Sequence, residues 1–223
     1  MTETITRSNL KVVGTTNSAG GFFREVKITG EGYFSGDVDC EKLNVTGNIE
    51  VEGSLQVTKM KLTGGLTLKD HLKGNSLRGQ GEIKAASLKV DDVHINGSLE
   101  INGDCEGEHL RISGACNVTG LLSAEKLEIN LYGPSKAKEV GGSSLTIKKS
   151  KTGRLLELVK PTTKLLFEAG VIECDTVELV NTKASVVRGK RVVVGADCEI
   201  ETVEYRESLE IHKHATVKYQ VKI

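Results

Sequence analysis

Apolar residues recur along this chain as apolar–polar–apolar triplets: Leu43 and Val45, Met60 and Leu62, Val93 and Ile95, Leu110 and Ile112, Leu127 and Ile129. A period of two is a strand signal; it places both apolar side chains on one face and the intervening polar residue on the other. The triplets keep a beat. Val45 to Leu62, Ile95 to Ile112 and Ile112 to Ile129 are each 17 residues, while Leu62 to Leu77 reads as 15 and Leu77 to Ile95 as 18. Glycines keep the same time: Gly30 and Gly36, Gly47 and Gly53, Gly97 and Gly103, and Gly114 and Gly120 form pairs six apart. A unit this short, repeated this often, predicts one small element stacked on itself. Seventeen residues divide into three edges of about six. The pattern therefore predicts an all-β fold, a single-stranded parallel β-helix of triangular section, with a glycine at each corner where positive φ is cheap.

The beat also divides the chain. Residues 1–20 read as a polar tail, with room for one strand at Leu10–Val12. The solenoid is expected over 21–223, in a first block 21–130 and a second block 166–223. Between them, 131–165 breaks the rhythm. Pro134 and the pair Gly141-Gly142 predict a projecting loop, Lys148–Arg154 a basic turn, and Leu155–Leu166 either strands around Pro161 or a short helix. Alternation then resumes at Val177/Leu179, Val192/Val194 and Leu209/Ile211, and continues through Val217, Tyr219, Val221 and Ile223 without a polar cap. A repeat stack buries its core only where each coil has a neighbour, so bare terminal coils are candidate contacts. The candidate self-association residues are Phe22, Phe23, Val217, Tyr219, Val221 and Ile223.

Composition narrows the function classes. Lys+Arg and Asp+Glu are both 30, so the net charge is zero and the usual electrostatic ground for nucleic acid or an anionic membrane is missing. Near-zero charge also removes a barrier to self-association. The N-terminal residues Met1–Arg7 lack an apolar signal-peptide core, and no stretch approaches a membrane span, so the expected compartment is the cytoplasm. The five cysteines, Cys40, Cys105, Cys116, Cys174 and Cys198, are odd in number and lack Cys-x-x-Cys spacing. They read as small buried residues rather than disulfides or metal ligands.

No constellation for catalysis or cofactor binding emerges. His212 and His214 share a strand face, but no carboxylate or cysteine stands at ligand spacing. Gly79-Gln80-Gly81 fails as a dinucleotide fingerprint because the sixth position is Lys84, and Gly189-Lys190-Arg191 lacks the rest of a phosphate loop. Asp91-Asp92 reads as a solvated corner. His94 and His109 read as outward strand residues. The sequons at Asn44, Asn96 and Asn117 follow from the Asn/Thr-rich corners of the repeat. No catalytic, cofactor or metal residue is assigned.

The coils from Ile28 to Ile129, with Ile172–Leu179, Val186–Gly189 and Val203–Tyr205 after them, resemble the bactofilins, bacterial cytoskeletal proteins that polymerise. The likeness is to the longer variants of Gram-positive bacteria and covers about residues 20–223. It implies a right-handed β-helix that assembles end to end without nucleotide and scaffolds other proteins. It further implies homo-polymers, or pairing with a sister bactofilin. The Pro-rich C-terminal tail and the apolar-basic N-terminal membrane motif of the commoner pattern are missing here, so any membrane contact is expected to be indirect. A β-helix also admits two other functional readings. A hexapeptide-repeat acyltransferase keeps a stricter six-residue beat and a catalytic His. A secreted adhesin or polysaccharide-binding β-helix needs an export signal.

Overall fold

The computed structural model describes residues 7–150 and 165–223. Within them the chain is all-β: twelve parallel strands in one continuous order, β1 (Ser8–Ser18), β2 (Gly21–Phe34), β3 (Val38–Val51), β4 (Leu55–Leu68), β5 (His71–Ala85), β6 (Ser87–Ile101), β7 (Cys105–Leu131), β8 (Ser135–Lys149), β9 (Phe167–Leu179), β10 (Thr182–Val194), β11 (Glu199–Ile211) and β12 (Thr216–Lys222). Each strand pairs with its sequence neighbours, as a solenoid requires.

Burial shows how one coil is built. In the coil that begins at Val38, the inward residues come in three pairs: Val38 and Cys40, Leu43 and Val45, and Ile49 and Val51. These define a first, a second and a third edge. Inside an edge the pair is two residues apart; across each corner the alternation breaks. The next coil repeats the scheme with Leu55 and Val57, Met60 and Leu62, and Leu66 and Leu68. Like residues stack in register, Val45 on Ile28 and Leu62 on Val45, and the columns merge into one apolar core along the axis. At roughly 25 cal/mol per Å² of apolar surface removed from water, these columns are the main favourable term in the fold.

The step between coils is 17 residues from β2 to β5 and 16 from β5 to β6. This corrects the 15 and 18 read around Leu77. Leu77 stacks under Met60, and Gly79 takes the slot below Leu62. A Cβ on Gly79 would lie 2.9 Å from Ile95 Cδ1, so the isoleucine of the following coil fills the space. An aliphatic slot occupied by glycine is invisible to a search for alternating apolar residues.

The two glycines of each pair serve different ends. The first belongs to one corner column: Gly14, Gly30, Gly47, Gly64, Gly81, Gly97 and Gly114 lie in register, all at positive φ. A Cβ on Gly64 would overlap the carbonyl oxygen of Gly47. The second member needs room rather than a positive φ, which corrects the expectation for that corner. A Cβ on Gly53 would collide with the Asp37 carboxylate, whose Oδ1 accepts the Ser54 amide at 2.7 Å; Asp104 accepts the Leu121 amide at 2.8 Å in the same way beside Gly120.

Two assignments change. The polar tail expected over residues 1–20 contains β1, eleven residues long and parallel to β2. Its inward slots Ser8, Thr16 and Ser18 are polar, so only Leu10 and Val12 marked it as a strand. The projecting loop expected at 131–144 reduces to a break between Leu131 and Ser135. Ser135–Lys149 is an ordinary coil strand, and Gly142 is one of its stacked residues, set against Ala124. From β8 to β9 the pairing step rises to 32 residues, across a span that includes 151–164. The turn expected at Lys148–Arg154 and the strands or helix expected at Leu155–Leu166 fall mostly outside the described residues.

Candidate functional site

Surfaces, not a pocket, are the candidates. At the C-terminal end β12 pairs only with β11, so its other backbone edge is open among the described residues. Val217 stacks on Ile200 and faces the core. Gln220 and Lys222 stack on Val203 and Tyr205, so the inward slots of the first edge turn polar here. On the second edge Leu209 and Ile211 stack on Val192 and Val194, and no described residue covers their far side. Ile211 is 37% exposed.

Among the predicted contact residues, Val217 is therefore an end residue. Tyr219 and Val221 lie in the outward columns of Thr202 and Glu204; with Ile223 they form an exposed apolar stripe on the side of the last coil. The reason is the corner. The inward residues of β11 are Ile200 and then Val203, three apart, so an alternation carried straight from Val217 to Ile223 swaps faces midway. Leu209 and Ile211 are second-edge end residues that sequence alone does not single out, because their alternation is the same as that of an inner coil.

Phe22 and Phe23 are corrected as well. β1 stacks over β2 and withdraws both from the end. Phe23 is buried and meets Phe34 edge to face at 6.5 Å. Phe22 points outward beneath the Arg7 guanidinium, which sits 5.9 Å from its ring centroid. Arg7 also donates to Asp39 Oδ1 at 2.8 Å and to the Phe23 carbonyl oxygen at 3.1 Å, tying β1 across two coils.

The sides carry inter-coil ion pairs. Arg188 bridges Glu173 at 2.7 Å and Glu204 at 2.6 Å, and Arg111 meets Glu128 at 2.8 Å. Lys126, hydrogen-bonded to Glu128, and then Arg111 hold that carboxyl below the usual range. Its contribution is present above the unfolded pKa and fades as pH falls through the lower folded value. Being at the surface, it is small.

All five cysteines are buried free thiols: Cys40 stacks on Val57, Cys116 on Leu99 and Cys174 on Gly142. Burial pushes Cys40, Cys116 and Cys174 up to about 12 and Cys198 up to about 11, and raises Cys105 likewise. A thiol held protonated is a poor nucleophile. In the folded protein at pH 8, Ellman's reagent is expected to leave all five unreacted over minutes and to titrate all five in guanidinium. Fast labelling of any one in buffer would overturn this reading.

Among the described residues no group of three or more metal-ligating side chains comes together. The His212 and His214 rings lie 5.3 Å apart, and the His214 amide donates to His212 Nδ1 at 3.1 Å. Asp91 accepts from Asn75 at 2.9 Å. Among the described residues no helix is long and apolar enough to cross a membrane.

Two curated relatives match. The uncharacterized protein YhbE of Bacillus subtilis (strain 168) is 38% identical over 107 residues, 48% of this chain and 44% of YhbE. The uncharacterized protein YhbF of the same strain is 37% identical over 105 residues, 47% of this chain and 42% of YhbF. The match thus spans less than half the length of each. No protein-family model and no solved structure matches the chain.

Proposed function

We propose that this is a non-enzymatic structural protein that stacks end to end into nucleotide-independent filaments or oligomers and scaffolds other proteins, as the resemblance to bactofilins implies. One observation carries the reading. The C-terminal coil presents Leu209, Ile211 and Val217 with an open strand edge, so a second molecule can extend the sheet and cover the apolar columns together. Strand addition supplies main-chain hydrogen bonds, and the stacked side chains supply register. A sister protein with the same coil serves equally as partner. The cytoplasm suits the free thiols.

The test is assembly in plain buffer. Purified protein is expected to form filaments or ladders of oligomers without nucleotide or metal, by negative-stain microscopy and light scattering. Ile211→Lys places a charge on the bare second edge and is expected to abolish end stacking. Its circular dichroism should keep the β signal, because Ile211 lies in the last turn of that column. A parent protein strictly monomeric at micromolar concentration would sink the proposal. An Ile211→Lys variant that still forms chains would move the contact elsewhere.

A further inference from the structure

The third-edge face from β8 to β12 carries charge in bands. Its central outward column reads Lys136, Glu168, Lys183, Glu199 and Thr216, residues that follow one another in register. A second outward column, two residues on, adds Lys138 to the first band, Glu201 to the fourth and Lys218 to the fifth. From β8 to β11 the signs are two positive, one negative, one positive, two negative, and β12 adds one positive. Two outward positions between the charges are small, Gly170 and Ser185, and the face is a shallow groove of about 840 Å³.

We propose that this face is a lateral interface with a second copy of the chain, the two rods lying antiparallel. A two-fold axis along the strand direction, between β9 and β10, sets β8 opposite the partner's β11 and β9 opposite its β10. Lys136 then faces the partner's Glu199, Lys138 the partner's Glu201, and Glu168 the partner's Lys183. The pair of rods holds these three contacts and their two-fold mates, so every charged residue from β8 to β11 in these two columns meets its opposite. A parallel pairing in the same register sets like on like in every band.

The charges are free to do this. All six side chains are exposed. Among the described residues Lys136, Glu168, Lys183 and Glu199 form no ion pair within 4.0 Å, though successive coils are only about 4.8 Å apart. Lys138 reaches Glu139 only at 3.9 Å, and Glu201 reaches Lys218 at 4.0 Å. Gly170 and Ser185 keep the middle of the face low, so two backbones can approach closely enough for long side chains to cross. Opposed charge bands set orientation and register more than raw affinity.

This pairing does not depend on end stacking, and the experiment separates the two. All proteins carry Ile211→Lys and are studied by sedimentation equilibrium at 0.1 M salt. The parent is expected to run as two copies, dissociating at 0.5 M salt as screening shortens to a few Å. Lys136→Glu with Lys138→Glu should weaken pairing at least tenfold, and so should Glu199→Lys with Glu201→Lys. Mixing these two variants should restore pairing, since every reversed band again finds its opposite in the heterodimer. A monomeric parent, reversals without effect, or a mixture that stays monomeric would each overturn the proposal. Circular dichroism of each variant checks that the coil is intact.

Discussion

Gly64→Ala is expected to destabilise the fold by about 4 kcal/mol, among the largest effects available to a single methyl group. Two penalties add. The residue holds φ at 128°, where a Cβ strains the backbone, and the added carbon would overlap the carbonyl oxygen of Gly47. That oxygen belongs to main chain in register above, so relief requires moving a coil rather than a side chain. Gly133→Ala is the control, since its Cβ would meet only Ala115 Cβ, at 3.6 Å. It should change stability by less than about 0.5 kcal/mol. Urea denaturation of both variants, with the midpoint shift converted through a common m-value, measures the contrast. Equal stabilities would show that the column relaxes far more cheaply than its geometry implies.

Phe167→Ala is expected to cost about 4 kcal/mol, in the range for a buried aromatic truncated to alanine. Phe167 is fully buried and opens β9, the strand that pairs with β8 at the 32-residue step. Its amide donates to the Asn181 carbonyl oxygen at 2.9 Å, and Asn181 Nδ2 donates to the Leu165 carbonyl oxygen at 2.9 Å. The ring thus fills the core where the sequence separation between paired strands is greatest among the described residues. Hydrogen exchange should rise first at Ala137, Ala169 and Ala184, the third-edge residues around it. Protection loss spread evenly from β2 to β12 would show that the coils unfold as one unit and that the start of β9 has no special weight.

The three-edged coil was legible because its inward positions are nearly always aliphatic. What escaped notice shares one physical cause: slots whose occupant is dictated by a neighbouring coil. Gly79 looks like a missing residue until Ile95 is seen filling its place. Ser8, Thr16 and Ser18 look like tail because an outermost coil has less core to face. Gly141-Gly142 looks like a loop because glycine signals a turn locally, yet Gly142 is a stacked strand residue. The candidate contact residues Val217, Tyr219, Val221 and Ile223 divide between faces for a related reason. Alternation is a property of an edge, and Val217–Ile223 turns a corner. The charge bands of the third-edge face were visible in sequence only once the register between coils was known.

The uniform 17-residue register from β2 to β5 makes length an adjustable quantity. Removing residues 48–64 would join coil to coil at equivalent positions, with every apolar column merely one member shorter. The distance from the N-terminal coil to the β8–β11 face would then fall by one rise, about 4.8 Å. Surfaces on this protein are therefore spaced like marks on a ruler, and duplication or loss of a coil changes their separation in whole steps without redesigning either surface.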